Sequence, residues 1–95
     1  MDFLEQRFDE VVAKIKALPS EGPTQPSTEL KLKLYGLFRQ ARDGDVEGRR
    51  PSPFDLVGRF KYDAWSSHKG MARDEAMRQY ISTVEDFAKE KGVEI

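Results

Sequence analysis

All five prolines of this 95-residue chain fall inside two stretches: Pro19, Pro23 and Pro26 in residues 19–29, and Pro51 and Pro53 in residues 43–53. Proline lacks the amide proton that a helix interior or a central strand needs, and Gly22, Gly44 and Gly48 weaken the same stretches further as regular structure. The chain is thereby cut into separate uninterrupted segments. What each segment can become is decided by the spacing of its apolar side chains.

In the first segment Leu4, Phe8, Val11, Val12, Ile15 and Leu18 recur every three or four positions. Acidic residues come early, Lys14 and Lys16 come late and Pro19 follows, so the spacing predicts an amphipathic helix over about 3–18. A second helix, about 28–42, opens near Ser27 and carries Leu30, Leu34, Leu37 and Ala41 as one stripe, with Tyr35, Phe38, Arg39 and Arg42 beside it. A third, about 55–68, has Leu56, Phe60, Ala64 and Trp65 as its buried candidates, and Gly70 signals its end. The fourth, about 72–91, places Asp74 and Glu75 in its first turn, Met77, Tyr80, Ile81, Val84 and Phe87 on one face, and Gly92 at the stop. No segment alternates apolar and polar residues as a strand does. The expected fold class is all-α, in a single domain over residues 1–95, because a chain of this size supports one core.

Sixteen basic residues against seventeen acidic ones give a net charge of −1, so no global positive field draws the molecule to nucleic acid. The absence of cysteine removes disulfides, thiolate nucleophiles and thiolate metal sites. Met1 to Glu5 form neither a secretory signal nor the start of a membrane span, which makes a cytoplasmic location the expectation.

Catalytic constellations are equally scarce. His68 follows Ser66 and Ser67, and helix neighbours one or two apart do not face each other, so a helix-terminal cation is the better reading of that histidine. The carboxylates divide among a loop (Asp43, Asp45), a first helical turn (Asp74, Glu75) and a solvated flank (Glu85, Asp86), and none marks a raised-pKa acid. No P-loop, dinucleotide fingerprint or zinc spacing occurs. The expectation is a protein that is not an enzyme, with no catalytic residues, no metal and no cofactor. What stands out is Tyr35 with Arg39 one turn on, the run Arg59-Phe60-Lys61-Tyr62, and Tyr80. Cations neutralise phosphate and a tyrosine ring can stack on a base. Aromatics at helical spacing are also ordinary core and surface cations ordinary solvated groups, so pattern alone leaves both readings open.

Four blocks in order resemble the acyl-CoA-binding protein signature: Tyr35-Gly36-Leu37-Phe38-Arg39-Gln40-Ala41, Gly44-Asp45, Arg50-Pro51, and Gly58-Arg59-Phe60-Lys61-Tyr62-Asp63-Ala64-Trp65. Asp74 to Met77 and Tyr80-Ile81 match too, and the resemblance runs from about Phe8 to Gly92. It implies a four-helix bundle of up-down-down-up topology with a shallow bowl for the coenzyme A head group. Tyr35 and Lys61 match residues that hold the ribose 3′-phosphate, and Arg39 takes the place of a lysine with the same task. Tyr80 matches a tyrosine near adenine and ribose, Lys16 a lysine close to the phosphates, and Val12 a small apolar residue by the adenine. Phe38 stands where many members have tyrosine; it keeps a stacking face and loses the hydroxyl. Leu32, Leu56 and Phe60 are the candidates for the acyl tail. Phe60 is alanine in the best-known members, and Lys31 replaces an apolar residue that usually faces the tail. Trp65, Phe8, Leu18, Leu34 and Val84 are expected to be core, and Asp45, Arg50 and Pro51 to fix the long loop.

The function implied is non-catalytic intracellular binding and transport of medium- to long-chain fatty acyl-CoA esters, by a monomer that delivers them to acyl-CoA-using enzymes. The alternative is a helical protein-interaction domain that keeps the scaffold without the ligand. An acyl-CoA hydrolase would need a paired base and nucleophile that the sequence lacks.

Overall fold

The computed structural model describes residues 2–19 and 21–95; Met1 and Ser20, which the sequence places in the N-terminal segment and the first loop, lie outside the described residues. Among the described residues there are four helices and no strand: α1 (Phe3–Lys16), α2 (Thr28–Asp43), α3 (Leu56–Ser66) and α4 (Arg73–Lys91). Three of them begin on a side-chain cap. Asp2 accepts from the Leu4 amide, Ser27 from Leu30 and Asp55 from Gly58, each satisfying an amide that the first turn leaves without a partner. α4 has no such cap but carries Asp74 and Glu75 in its first turn, where carboxylates suit the positive end of the helix dipole.

The ends depart from the sequence expectation in three places. α1 stops at Lys16 instead of about 18, because Pro19 disfavours helical backbone in the residue before it. α2 runs one residue further, so Asp43 is the last residue of a helix and not part of a loop. α3 ends at Ser66, and residues 67–71 continue as tight turns in which the amides of His68, Lys69 and Met71 each bond the carbonyl three residues back.

α2 packs against both α3 and α4, and α1 packs against α4. α1 and α2 keep their backbones apart and meet through side chains: Phe8 stacks on Phe38 with centroids 6.1 Å apart, and Arg42 pairs with Asp9 at 2.5 Å. The core joins Phe8, Val11 and Val12 of α1, Leu34, Leu37 and Ala41 of α2, and Ala76, Met77, Tyr80, Ile81 and Val84 of α4. Leu18, expected in the core, is only half-buried. α3 gives the interior only Trp65. The sequence expectation that Leu56 and Phe60 are buried is overturned: they are 61% and 57% exposed. The cause lies in where α3 meets α2. Its close approach is near the C-terminal end, at Ala64, so its first two turns stand clear of the core.

That approach depends on Gly36. A Cβ there would sit 2.3 Å from the Ala64 carbonyl oxygen and 3.1 Å from His68 Cδ2. His68 is thus packed against α2, and burial, with Lys33 nearby, pushes its pKa below the ordinary value. It is not the dipole-complementing cation expected from its place at a helix end, since both influences favour the neutral ring.

A second junction lies one turn further along the same side of α2. Gln40, fully buried, donates through Nε2 to Asp45 Oδ1 (2.9 Å) and to the Met71 carbonyl (2.8 Å), while the same Asp45 oxygen accepts from the Gly70 amide at 2.8 Å. Trp65 Nε1 donates to the Gly44 carbonyl at 2.8 Å, just where Gly44, at φ 79°, turns the chain out of α2. Beyond it the loop is pinned to α3. Arg50 grips Asp63 with two bonds of 2.9 and 2.8 Å, Arg59 Nε donates to the Pro51 carbonyl and the Tyr62 hydroxyl to the Gly48 carbonyl. Asp45, Arg50 and Pro51 therefore hold the loop, as the sequence leads one to expect.

Two predictions follow from these junctions. Gly36→Ala, although alanine is the better helix former, should destabilise the domain by about 1–3 kcal/mol in urea titration, because backbone must move to admit the methyl. The Asp45 carboxyl is held below its ordinary pKa by the Gly70 amide and then by Gln40. A depressed carboxyl stabilises the fold above its unfolded pKa and loses that contribution as pH falls from about 4 toward the folded value. Asp45→Asn keeps the accepting oxygen and loses the titration, so its stability should fall less steeply in acid than that of the wild type.

Candidate functional site

Because α1 and α2 do not touch along their backbones, a cleft of about 370 Å³ opens between them. Its walls are set by helical register. From the end of α1 come Ile15 and Lys16; from α2 come Lys31, Leu34, Tyr35 and Phe38, one, two and three turns along one face. Gln25 and Pro26 close the cleft from the first loop, and Tyr80 of α4 forms its floor. The Gln25 side-chain amide donates to the Pro19 carbonyl, tying the loop to itself beside the opening.

The cations around this cleft are held over ring faces. Lys16 Nζ lies 5.4 Å from the Phe38 centroid, and Lys61 Nζ, reaching over from α3, lies 5.4 Å from the Tyr35 centroid. Arg39 stacks 4.2 Å above Trp65 and donates to the Tyr35 hydroxyl at 3.2 Å. Contacts of this kind contribute about 0.5–2 kcal/mol each and fix where a flexible cation stands. Arg39 Nε also lies 2.6 Å from Asp43 Oδ2, a charge contact whose N–H finds no aligned acceptor among the described residues. Positive charge thus arrives from three helices: Arg39 of α2 and Lys61 of α3 meet at Tyr35, and Lys16 of α1 stands over the neighbouring Phe38. That arrangement can neutralise a multiply charged anion more fully than one helix face can.

Tyr80 differs from the other two tyrosines. It is buried, packs edge-on against Phe8 at 5.1 Å, and burial pushes its phenol pKa up to about 12. Its hydroxyl therefore stays protonated over the working pH range and faces the cleft as a neutral donor.

The structure brings Lys16, Tyr35, Phe38 and Tyr80 to one cleft and sets Arg39 and Lys61 against Tyr35 at its side. Val12 is buried in the core and does not line the opening. Leu32 is half-buried on α2, while Leu56 and Phe60 stand exposed on α3, away from the cleft. Sequence reasoning missed Gln25 and Pro26 altogether. A buried proline inside a proline-rich stretch has no local signal, since such stretches are ordinarily exposed. Ile15 and Leu34 were readable only as core by their spacing.

A family profile described as Acyl CoA binding protein matches residues 5–84. The chain belongs to the acyl-CoA-binding protein family. It is 41% identical over 84 residues to acyl-CoA-binding protein homolog 3 of Caenorhabditis elegans, covering 88% of this chain and 72% of that protein. It is 43% identical over 77 residues to acyl-CoA-binding domain-containing protein 5 of Mus musculus, which covers 81% of this chain but only 15% of that much longer protein. The crystal structure of Oryza sativa acyl-CoA-binding protein 2 superposes with a TM-score of 0.84 at 40% identity, covering 95% of this chain and 94% of that one. The all-α, four-helix fold expected from the sequence is that of the acyl-CoA-binding proteins. Among the described residues no helix is long and apolar enough to cross a membrane, and no cluster of three or more His, Asp or Glu side chains is placed to hold a metal ion.

Burial of Tyr80 has a direct spectroscopic consequence. In an alkaline titration followed by tyrosinate absorbance, Tyr80 should ionise near pH 12, and Tyr80→Phe should remove that late step.

Proposed function

We propose that this chain binds fatty acyl-CoA esters reversibly in the α1–α2 cleft and carries them without chemical change. The observation that carries the reading is the meeting of Lys16, Tyr35, Phe38 and Tyr80 in one opening, with Lys61 and Arg39 drawn in around Tyr35, in a member of a family of binding proteins. The cleft suits a phosphorylated head group with an aromatic base. Its ring faces offer stacking, its lysines neutralise phosphate, and Tyr35 and Tyr80 supply hydroxyls.

Lys61 and Lys16 stand over rings and are free to turn toward a phosphate. Arg39 reaches one only by exchanging Asp43 for it, so its share of the binding energy is what phosphate gains over carboxylate. Val12 contributes from beneath, through Phe8 and Tyr80, which share its core cluster. The acyl tail is assigned to Leu32, Leu56 and Phe60, and the exposure of the last two supports this: apolar side chains left uncovered by the fold are stabilised when a hydrocarbon chain lies on them, at about 0.8 kcal/mol for each methylene buried. Lys31, on the cleft wall, can cover part of the tail with its own methylene stem. We further propose a monomeric carrier acting in the cytoplasm that hands its ligand to acyl-CoA-using enzymes. The position of His68, packed against Gly36 and outside the cleft lining, supports a binding role over hydrolysis, for it leaves no histidine beside a nucleophile at the cleft.

Isothermal titration of the delipidated protein with palmitoyl-CoA, free coenzyme A and palmitate tests this reading. One-to-one binding of the ester, weaker binding of coenzyme A and none of palmitate is the expected result. Failure of the folded protein to bind the ester would refute it. Lys61→Ala should weaken ester binding by about 1–3 kcal/mol while lowering the melting temperature only by what its exposed contact over Tyr35 contributes, since Lys61 pairs with no carboxylate among the described residues.

A further inference from the structure

Asp43 stands where helix stability argues against it. The C-terminal end of a helix carries the negative pole of its dipole, so the last turn favours cations, and a pair with the base first and the acid four residues on is the weaker of the two orders. Asp43 is nevertheless the last residue of α2 and pairs with Arg39 one turn back, Oδ2 to Nε at 2.6 Å. The contact is incomplete. The Arg39 Nε–H is buried and finds no aligned acceptor, so the carboxylate neutralises the guanidinium without closing that hydrogen bond. Of the three cations assigned to the head group, Lys16, Lys61 and Arg39, only Arg39 has a carboxylate within ion-pair distance among the described residues.

Such a pair is set for exchange. The Trp65 ring, 4.2 Å away, and the Tyr35 hydroxyl, at 3.2 Å, hold the guanidinium without help from Asp43. The Asp43 side chain is half-exposed, so once displaced it turns to water at little cost. A phosphate carries more oxygens than a carboxylate and can accept the Nε–H that Asp43 leaves unaligned. Bringing it in breaks the Arg39–Asp43 contact and sets one anion beside another, and both effects lower affinity. As the phosphate departs, Asp43 takes Arg39 back from one turn away. We infer that Asp43 is an internal competitor for Arg39, an anion that a phosphate of the ligand must displace, and that it limits affinity and hastens release. The inference rests on the acyl-CoA reading and deepens it, since a carrier has to let its ligand go as well as hold it.

Asp43→Asn and Asp43→Ala, titrated with palmitoyl-CoA, should bind about three- to tenfold more tightly than the wild type, as expected from removing one half-exposed ion pair and one nearby like charge. The gain should appear mainly as slower dissociation in stopped flow. Melting temperatures should stay close to that of the wild type, because a half-exposed pair contributes little and the helix end is relieved of an acid. A merely structural role of Asp43 would not give a tighter complex. Arg39→Met keeps an apolar stem on Trp65 and removes the cation; in that background Asp43→Asn should have little effect, which separates competition for Arg39 from the general effect of deleting a negative charge. Coenzyme A and 3′-dephospho-coenzyme A, titrated in parallel, tell which phosphate makes the exchange: the gain is confined to the former for the 3′-phosphate and shared by both for the diphosphate. Unchanged or weaker ester binding by Asp43→Asn, or an equal gain in the Arg39→Met background, would overturn the inference and leave the carrier reading standing. A folded wild type that binds no ester would overturn both.

Discussion

With no side chain at position 36, the α2 backbone comes so near Ala64 that a single added carbon would lie 2.3 Å from its carbonyl oxygen. The charge that α3 brings to the site depends on that approach. It carries α3 close enough for Lys61 to lie over Tyr35, and it seats Trp65 where Arg39 can stack on its ring. A wider crossing would still be a helix pair, but the α3 lysine would no longer share a neighbour with the α2 arginine. The junction built by Gln40, Asp45, Gly70 and Met71 then locks α2 to the turn that launches α4, the helix that supplies Tyr80. The cleft is therefore framed by backbone contacts on one side of α2 and left open on the other.

The open side is where the polar chemistry collects, and its cations are already ordered. A lysine that must be fixed at the moment of binding loses about 1–2 kcal/mol of rotamer entropy, and one resting on a ring has already lost part of it. Lys16 and Lys61 follow this pattern. Arg39 does not, because Asp43 and Trp65 make it as much a part of the scaffold as of the site.

How much of this could be read from the chain divides by physical cause. Helix number and approximate bounds were legible because prolines, caps and apolar spacing are local signals. α3 shows the limit. Its apolar residues at 56, 60, 64 and 65 look like a core stripe, yet only Trp65 is buried, since burial depends on where along its length one helix crosses another. His68 shows it again: a histidine near a helix end reads as a cation, while burial against α2 and the nearby Lys33 of that helix lower its pKa. Of the site, the residues on α2, α3 and α4 were legible through a resemblance in ordered blocks. Pro26 and Gln25 were not, because they reach the cleft only through the path of a loop.

The pairing of helices also orders the birth of the molecule. α2 and α3 are joined by a pinned loop and pack together, so this pair can form as soon as both are made. α1, only 14 residues long, is too short to persist alone in water, and the one helix whose backbone it packs against is α4, the last of the four to be synthesised. Until the fourth helix is made, Phe8 and Val11 have only the side chains of α2 to pack on, and the cleft gains a fixed second wall only when α1 settles on α4.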